Sequence, residues 1–199
     1  MPEAIDHIRK QLTKDHAPSS DFDLNPEISL PEGRKLRAAA VLVPLIKEKG
    51  AWHVILTMRS SALKHHPGQI AFPGGKQDDS DADLFQTALR EADEEVGLPP
   101  ENVEIIGQLP THETVTGFTV TPIVGVLKGP FQVNPEAGEV AEVFQVPLSF
   151  LTDPTRFQIQ SRRWRGKRRY YYTIPFGPYY IWGATARMLR TFAELLEPK

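Results

Sequence analysis

The sequence predicts a single domain of layered α/β packing. β-rich runs outnumber helical ones, long helical patterns interrupt the strands, and 199 residues with 40% hydrophobic content can bury one sizeable core. Residues 3–13 read as a short amphipathic helix. The polar, proline-bearing residues 15–34 are linker-like and expected only to drape over the body. Residues 36–46 and 52–59 are β-rich and joined by the charged turn 47–50, a hairpin pattern. An irregular segment, 60–77, ends in Phe72-Pro73-Gly74-Gly75, and a helical pattern over 82–97 stops at Gly97 with Pro99-Pro100 beyond. Residues 103–109, 120–127 and 140–146 read as strands, 157–163 with 168–174 as a second hairpin, and 183–196 as a closing helix.

The absence of cysteine removes disulfides, thiol nucleophiles and Cys-ligated zinc or iron–sulfur centres. Oxygen and nitrogen ligands remain, and oxygen suits Mg²⁺ and Mn²⁺. With 23 basic against 25 acidic residues, the chain lacks the broad basic footprint of a nucleic-acid binder. Its first residues have no signal-peptide apolar core, and the longest apolar run, 38–46, is too short to span a bilayer. A cytoplasmic location with no membrane partner is expected.

The helix at 82–97 carries the chemistry. At about 100° per residue, Phe85, Ala88, Leu89, Ala92 and Val96 share one apolar stripe that must face a core. Glu91 and Glu95 lie one turn apart at its edge, and Glu94 stands further round beside Arg90. Like charges one turn apart repel, more so at a half-buried edge, unless a cation neutralises them. By itself Glu91-Ala92-Asp93-Glu94-Glu95 is an ordinary solvated face. The preceding Gly74-Gly75 changes the reading, because a backbone without Cβ turns tightly and brings its N–H groups close to an anion. A glycine loop, stacked carboxylates and an adjoining arginine are what a metal-assisted reaction on a phosphate requires.

Arg90-Glu91-Ala92-Asp93-Glu94-Glu95-Val96-Gly97-Leu98 resembles the core of the Nudix box, and Gly75 its opening glycine. Asp81 stands where the general pattern prefers Glu, and one extra residue separates it from Arg90. Ile55-Leu56-Thr57-Met58-Arg59-Ser60, Lys64, Gly68 and Phe72-Pro73-Gly74-Gly75 resemble the signature of the coenzyme A pyrophosphatase branch, which shares that spacing. Here Ile55 replaces a leucine, and Lys64 an arginine, which keeps the charge but loses the bidentate fork. The match extends less specifically through Thr116-Gly117-Phe118 and Ile181-Trp182-Gly183-Ala184-Thr185-Ala186.

The resemblance implies a Nudix-type α/β/α sandwich with a mixed sheet, a catalytic loop-helix at 74–98, and a core at 35–199 preceded by the appended residues 1–34. It also implies hydrolysis of the diphosphate of coenzyme A or its thioesters with Mg²⁺ or Mn²⁺. By this correspondence Glu91 and Glu95 hold the ions, and Glu94 is a further ligand or takes the proton of the attacking water. Arg90 orients these carboxylates. Glu139 and Glu142 are alternative bases if their loop folds back over the metals. Arg59 and Lys64 are candidate phosphate contacts, with His66, Gln69, Gly74 and Gly75 completing the substrate loop. Two other readings stand: hydrolysis of ADP-ribose or NADH, and a nucleotide-binding module without turnover.

Six of the eight residues 162–169 are basic. That run reads as a solvated hairpin tip, as an attractor for an anionic substrate, or as a nucleic-acid contact, the last disfavoured by the near-neutral total. The sequence leaves the oligomeric state open.

Overall fold

The computed structural model describes residues 3–28, 30, 33–63, 66–164 and 166–197, so Lys64 and Arg165 lie outside the described residues. A nine-stranded mixed sheet contains β1 (Ser19–Ser20), β2 (Arg37–Glu48), β3 (Ala51–Arg59), β4 (Ile70–Ala71), β5 (Gly74–Lys76), β6 (Val103–Gln108), β7 (His112–Glu113), β8 (Phe118–Leu127) and β9 (Val140–Pro147). The order is β1-β7-β8-β2-β3-β4, with β5 against β2, β6 against β8 and β9 against β3. The expected hairpin is β2–β3, and β2 runs parallel to β8.

Strand β2 is buried on both faces, as its unbroken apolar run requires. Ala40 and Leu42 join Ile55 and Ile123 under α2 (Leu84–Val96). Val43 and Leu45 join Val54 and Leu56 on the opposite face, where α1 (Glu3–Leu12) contributes Ile8 and α4 (Ala184–Leu196) contributes Leu189 and Phe192. The result is the expected α/β/α sandwich. Helix α3 (Leu148–Leu151) is one turn, and β10 (Gln158–Trp164) with β11 (Lys167–Thr173) forms a separate two-stranded sheet. Among the described residues no helix is long and apolar enough to cross a membrane.

Three expectations are corrected. The segment expected only to drape is tied down: Ser19–Ser20 pairs in parallel with His112–Glu113, and Asn25, 1% exposed, exchanges hydrogen bonds with the Tyr170 backbone at 2.8 and 2.9 Å. It is held by polar contacts, to which hydropathy is blind. The irregular 60–77 segment contains the short strands β4 and β5. Finally, Phe85 is 38% exposed, while Thr87 and Glu95 are buried with Ala88, Ala92 and Val96. At about 100° per residue the buried arc is turned roughly 50° from the apolar stripe, toward the carboxylates.

Candidate active site

The helix bearing the carboxylates is locally well specified. Asp83 caps it by accepting the Gln86 N–H at 2.8 Å, and Gly97, at φ 70°, ends it in the left-handed conformation that glycine adopts without strain. The loop before it fits the helix closely. Gly74 packs against β2, where a Cβ would stand 2.5 Å from Val41 Cα, and its N–H donates to Glu95 Oε2 at 3.2 Å. A Cβ at Gly75 would stand 2.6 Å from the Glu91 carboxylate. The expected glycine cradle therefore exists, but these two glycines admit the protein's own carboxylates.

Glu95 is 5% exposed. Burial pushes its carboxyl up to about 7, and the charges of Glu91 and Glu139 add to this, while the Gly74 N–H and the Arg59 charge oppose it. Burial raises Glu91 too, against its bond from Arg90. Arg90 gathers the remaining acids. Its Nε and Nη2 donate to the two Asp81 oxygens, both at 2.9 Å, and Nη1 donates to Glu91 Oε1 at 2.9 Å and Glu94 Oε2 at 3.0 Å. Hydrogen bonding from Arg90 holds the Asp81 carboxyl well below the usual carboxylate range, and the same bond pushes Arg90 upward. Thr87 Oγ1 also donates to Asp81. The sequence marked Asp81 only as a departure from a pattern; it is the anchor of Arg90.

The other expected residues divide into three groups. Arg59 and Glu139 stand near the carboxylates: both charges act on Glu95, and the Ser60 N–H donates to the Glu139 carbonyl at 2.7 Å, tying that loop to the end of β3. A bulge between Met58 and Arg59 interrupts the β3–β9 ladder at this point. Glu142 goes elsewhere. The two-residue period of β9 puts it on the face of Phe144, and the Tyr179 hydroxyl, on a ring stacked 3.6 Å from Phe144, donates to it at 2.5 Å. His66 and Gln69 line a cavity of about 250 Å³ on the α4 face.

That cavity escaped the sequence reading. Ala71 and Phe72 line it just before Gly74, Trp182 and Tyr171 give it aromatic walls, and Arg162 and Arg169 of the basic hairpin border it. Its sequence signals were scattered and did not mark a cavity: His66 and Gln69 of the substrate loop, Thr116, and the weakly matching run over 182–185.

Oxygen donors suit a hard divalent cation, and the desolvated Glu91 and Glu95 carry repulsion that such a cation would relieve. Among the described residues no three His, Asp or Glu side chains form a ready metal-binding group. A pair of carboxylates fits Mg²⁺ nonetheless, since that ion commonly takes one or two carboxylates and completes its shell with water and substrate phosphates.

The NUDIX domain profile matches residues 35–165, and the chain belongs to this family, the Nudix hydrolases. A protein of Enterobacter sp. described as "uncharacterized Nudix hydrolase NudL" is 44% identical over 157 residues, 79% of this chain and 81% of that one. Its namesake in Cronobacter sakazakii is 41% identical over 184 residues, 92% of this chain and 94% of that one. The crystal structure of the Nudix hydrolase RenU from M. smegmatis superposes with TM-score 0.50 at 27% identity, covering 60% of this chain and 75% of that one.

Proposed function

We propose that this Nudix hydrolase cleaves the diphosphate of coenzyme A or its thioesters, releasing 4′-phosphopantetheine, or its acyl form, and adenosine 3′,5′-bisphosphate. The observation that carries the reading is that residues 71–75 run from an arginine-bordered aromatic cavity to a desolvated carboxylate pair. The motif over 55–75 points to the same branch.

Glu91 and Glu95 hold the cation, Mg²⁺ or Mn²⁺. When bound, the cation neutralises charge on the diphosphate and acidifies the attacking water. The chain's own residues do the rest. Arg90, anchored on Asp81, fixes the orientation of Glu91 and Glu94. Arg59 faces the same site and meets the diphosphate. Glu139 accepts the water's proton: its charge bears on both Glu91 and Glu95, whereas Glu94 is held by Arg90 and Glu142 by Tyr179. His66 and Gln69 contact the nucleoside half from the cavity wall.

Incubation of the purified protein with coenzyme A, ADP-ribose and NADH, each with Mg²⁺ or Mn²⁺, followed by product analysis, tests the proposal. Conversion of coenzyme A to the two named products is expected. Cleavage of another substrate with coenzyme A untouched overturns the branch assignment, and binding without cleavage of any of them overturns the enzymatic reading.

A further inference from the structure

We infer that the cavity beneath the β10–β11 hairpin holds the purine of the nucleotide half of the substrate, and that Arg162 reads the phosphomonoester on its ribose. This rests on the coenzyme A reading above and assigns a task to the basic run that the carboxylate site leaves unused.

The fold divides that run by strand period. Arg162, itself exposed, and the half-buried Arg169 are direct partners across the hairpin and line the cavity, whereas the exposed Arg163, Lys167 and Arg168 nearer the tip do not. The Arg162 guanidinium lies over the Trp182 ring, 4.5 Å from its centroid, and Trp182 packs edge-on to Tyr171 at 5.3 Å. The stacking orients the planar donor fork, a geometry suited to bidentate phosphate binding. Asp21, the acidic residue in the wall, is engaged by His112 Nε2 at 3.1 Å and the Val115 N–H at 2.8 Å.

The occupant follows from this chemistry. A nucleobase gains by stacking on aromatic walls, and a phosphate gains from arginine. The pantetheine arm is flexible and uncharged, and a pair of cations offers it nothing. Position agrees. Phe72 lines the cavity and Gly75, three residues on, abuts Glu91, so the two are at most roughly 10 Å apart at about 3.3 Å per residue, a span that a ribose and one phosphate bridge. The cavity volume, about 250 Å³, approaches the roughly 300–1,000 Å³ of small-molecule sites.

The test compares coenzyme A with dephospho-coenzyme A, which lacks the ribose phosphomonoester, on the wild type, Arg162→Ala and Arg162→Lys. Arg162→Ala is expected to raise KM for coenzyme A about tenfold or more, to keep kcat within about twofold, and to leave KM for dephospho-coenzyme A unchanged. Arg162→Lys recovers part of the loss. Equal effects on both substrates, or no effect on either, overturn the inference. Calorimetry with adenosine 3′,5′-bisphosphate and AMP, without added metal, tests it independently of turnover. The wild type is expected to prefer the bisphosphate and Arg162→Ala to lose that preference; equal wild-type affinities overturn the inference. If coenzyme A is not cleaved, the catalytic proposal fails, while calorimetry still judges the cavity.

Discussion

The Glu91 carboxylate occupies the space that a side chain at Gly75 would need, for a Cβ there would stand 2.6 Å from both of its oxygens. Real Cβ contacts are not that short, so the two residues fit only as a carboxylate and a glycine. Gly75→Ala is therefore expected to push Glu91 aside with the fold retained. Displacement of a catalytic group by about 1 Å costs roughly 100-fold in rate. Steady-state kinetics beside circular dichroism checks this, and wild-type kcat in a folded Gly75→Ala protein would refute it.

Asp81 acts on the site through Arg90. Asp81→Asn keeps the shape but replaces one acceptor oxygen with an amide, breaking the two-point clamp that fixes the guanidinium. A fall in kcat of about tenfold is expected, with KM little changed, because a positioning contact is lost. Asp78 lies 3.8 Å from Arg90 Nη2, too far to replace the clamp by itself, so Asp78→Asn is expected to have a much smaller effect.

Stability should depend on pH through Glu95. Its carboxyl, raised by burial from 4.5 to about 7, is protonated in both folded and unfolded states below about pH 4.5 and then carries no penalty. Between about pH 4.5 and 7 the unfolded chain ionises this carboxyl while the folded state still holds it protonated, so stability falls by up to ~3 kcal/mol and levels off above 7. In chelator, Tm should be higher near pH 5.5 than near pH 8, and Mg²⁺ should restore much of the loss at pH 8. Glu95→Gln should flatten this dependence and reduce turnover by about 100-fold or more. A melting profile that keeps its slope in Glu95→Gln would place the titration elsewhere.

The three candidate proton acceptors are separable. Glu139→Gln is expected to lower kcat by about 100-fold or more, while Glu142→Gln, whose native carboxylate accepts from Tyr179, should stay within a few-fold of wild type. Glu94→Gln should fall between them, through its bond to Arg90. If Glu142→Gln shows the largest loss, the assignment to Glu139 is wrong.

Much of the site was legible because its signals are local. Helix α2 is bounded by a capping aspartate and a left-handed glycine, and its carboxylates repeat at the helical period, so spacing alone brings Glu91 and Glu95 together. The loop preceding β9 brings the Glu139 charge to bear on Glu95, a condition that the sequence left open. Glu142 shows where such reasoning stops: Glu139 and Glu142 are three residues apart in sequence, yet strand alternation gives Glu142 to Tyr179 on the other face.

The sequence by itself determined the layered α/β class, nearly every long element, and a family resemblance resting on residues within one loop and one helix, because period, caps and turn residues act over a few positions. The tertiary structure decided the rest. The helix turned roughly 50° so that Glu95 is buried, Asp81 became the anchor of Arg90, and a polar N-terminal segment joined the sheet. Two arginines from a basic run came to border an aromatic cavity. Each depends on which distant surface meets a side chain, and a hydrogen bond or a missing Cβ settles that where hydropathy carries no signal.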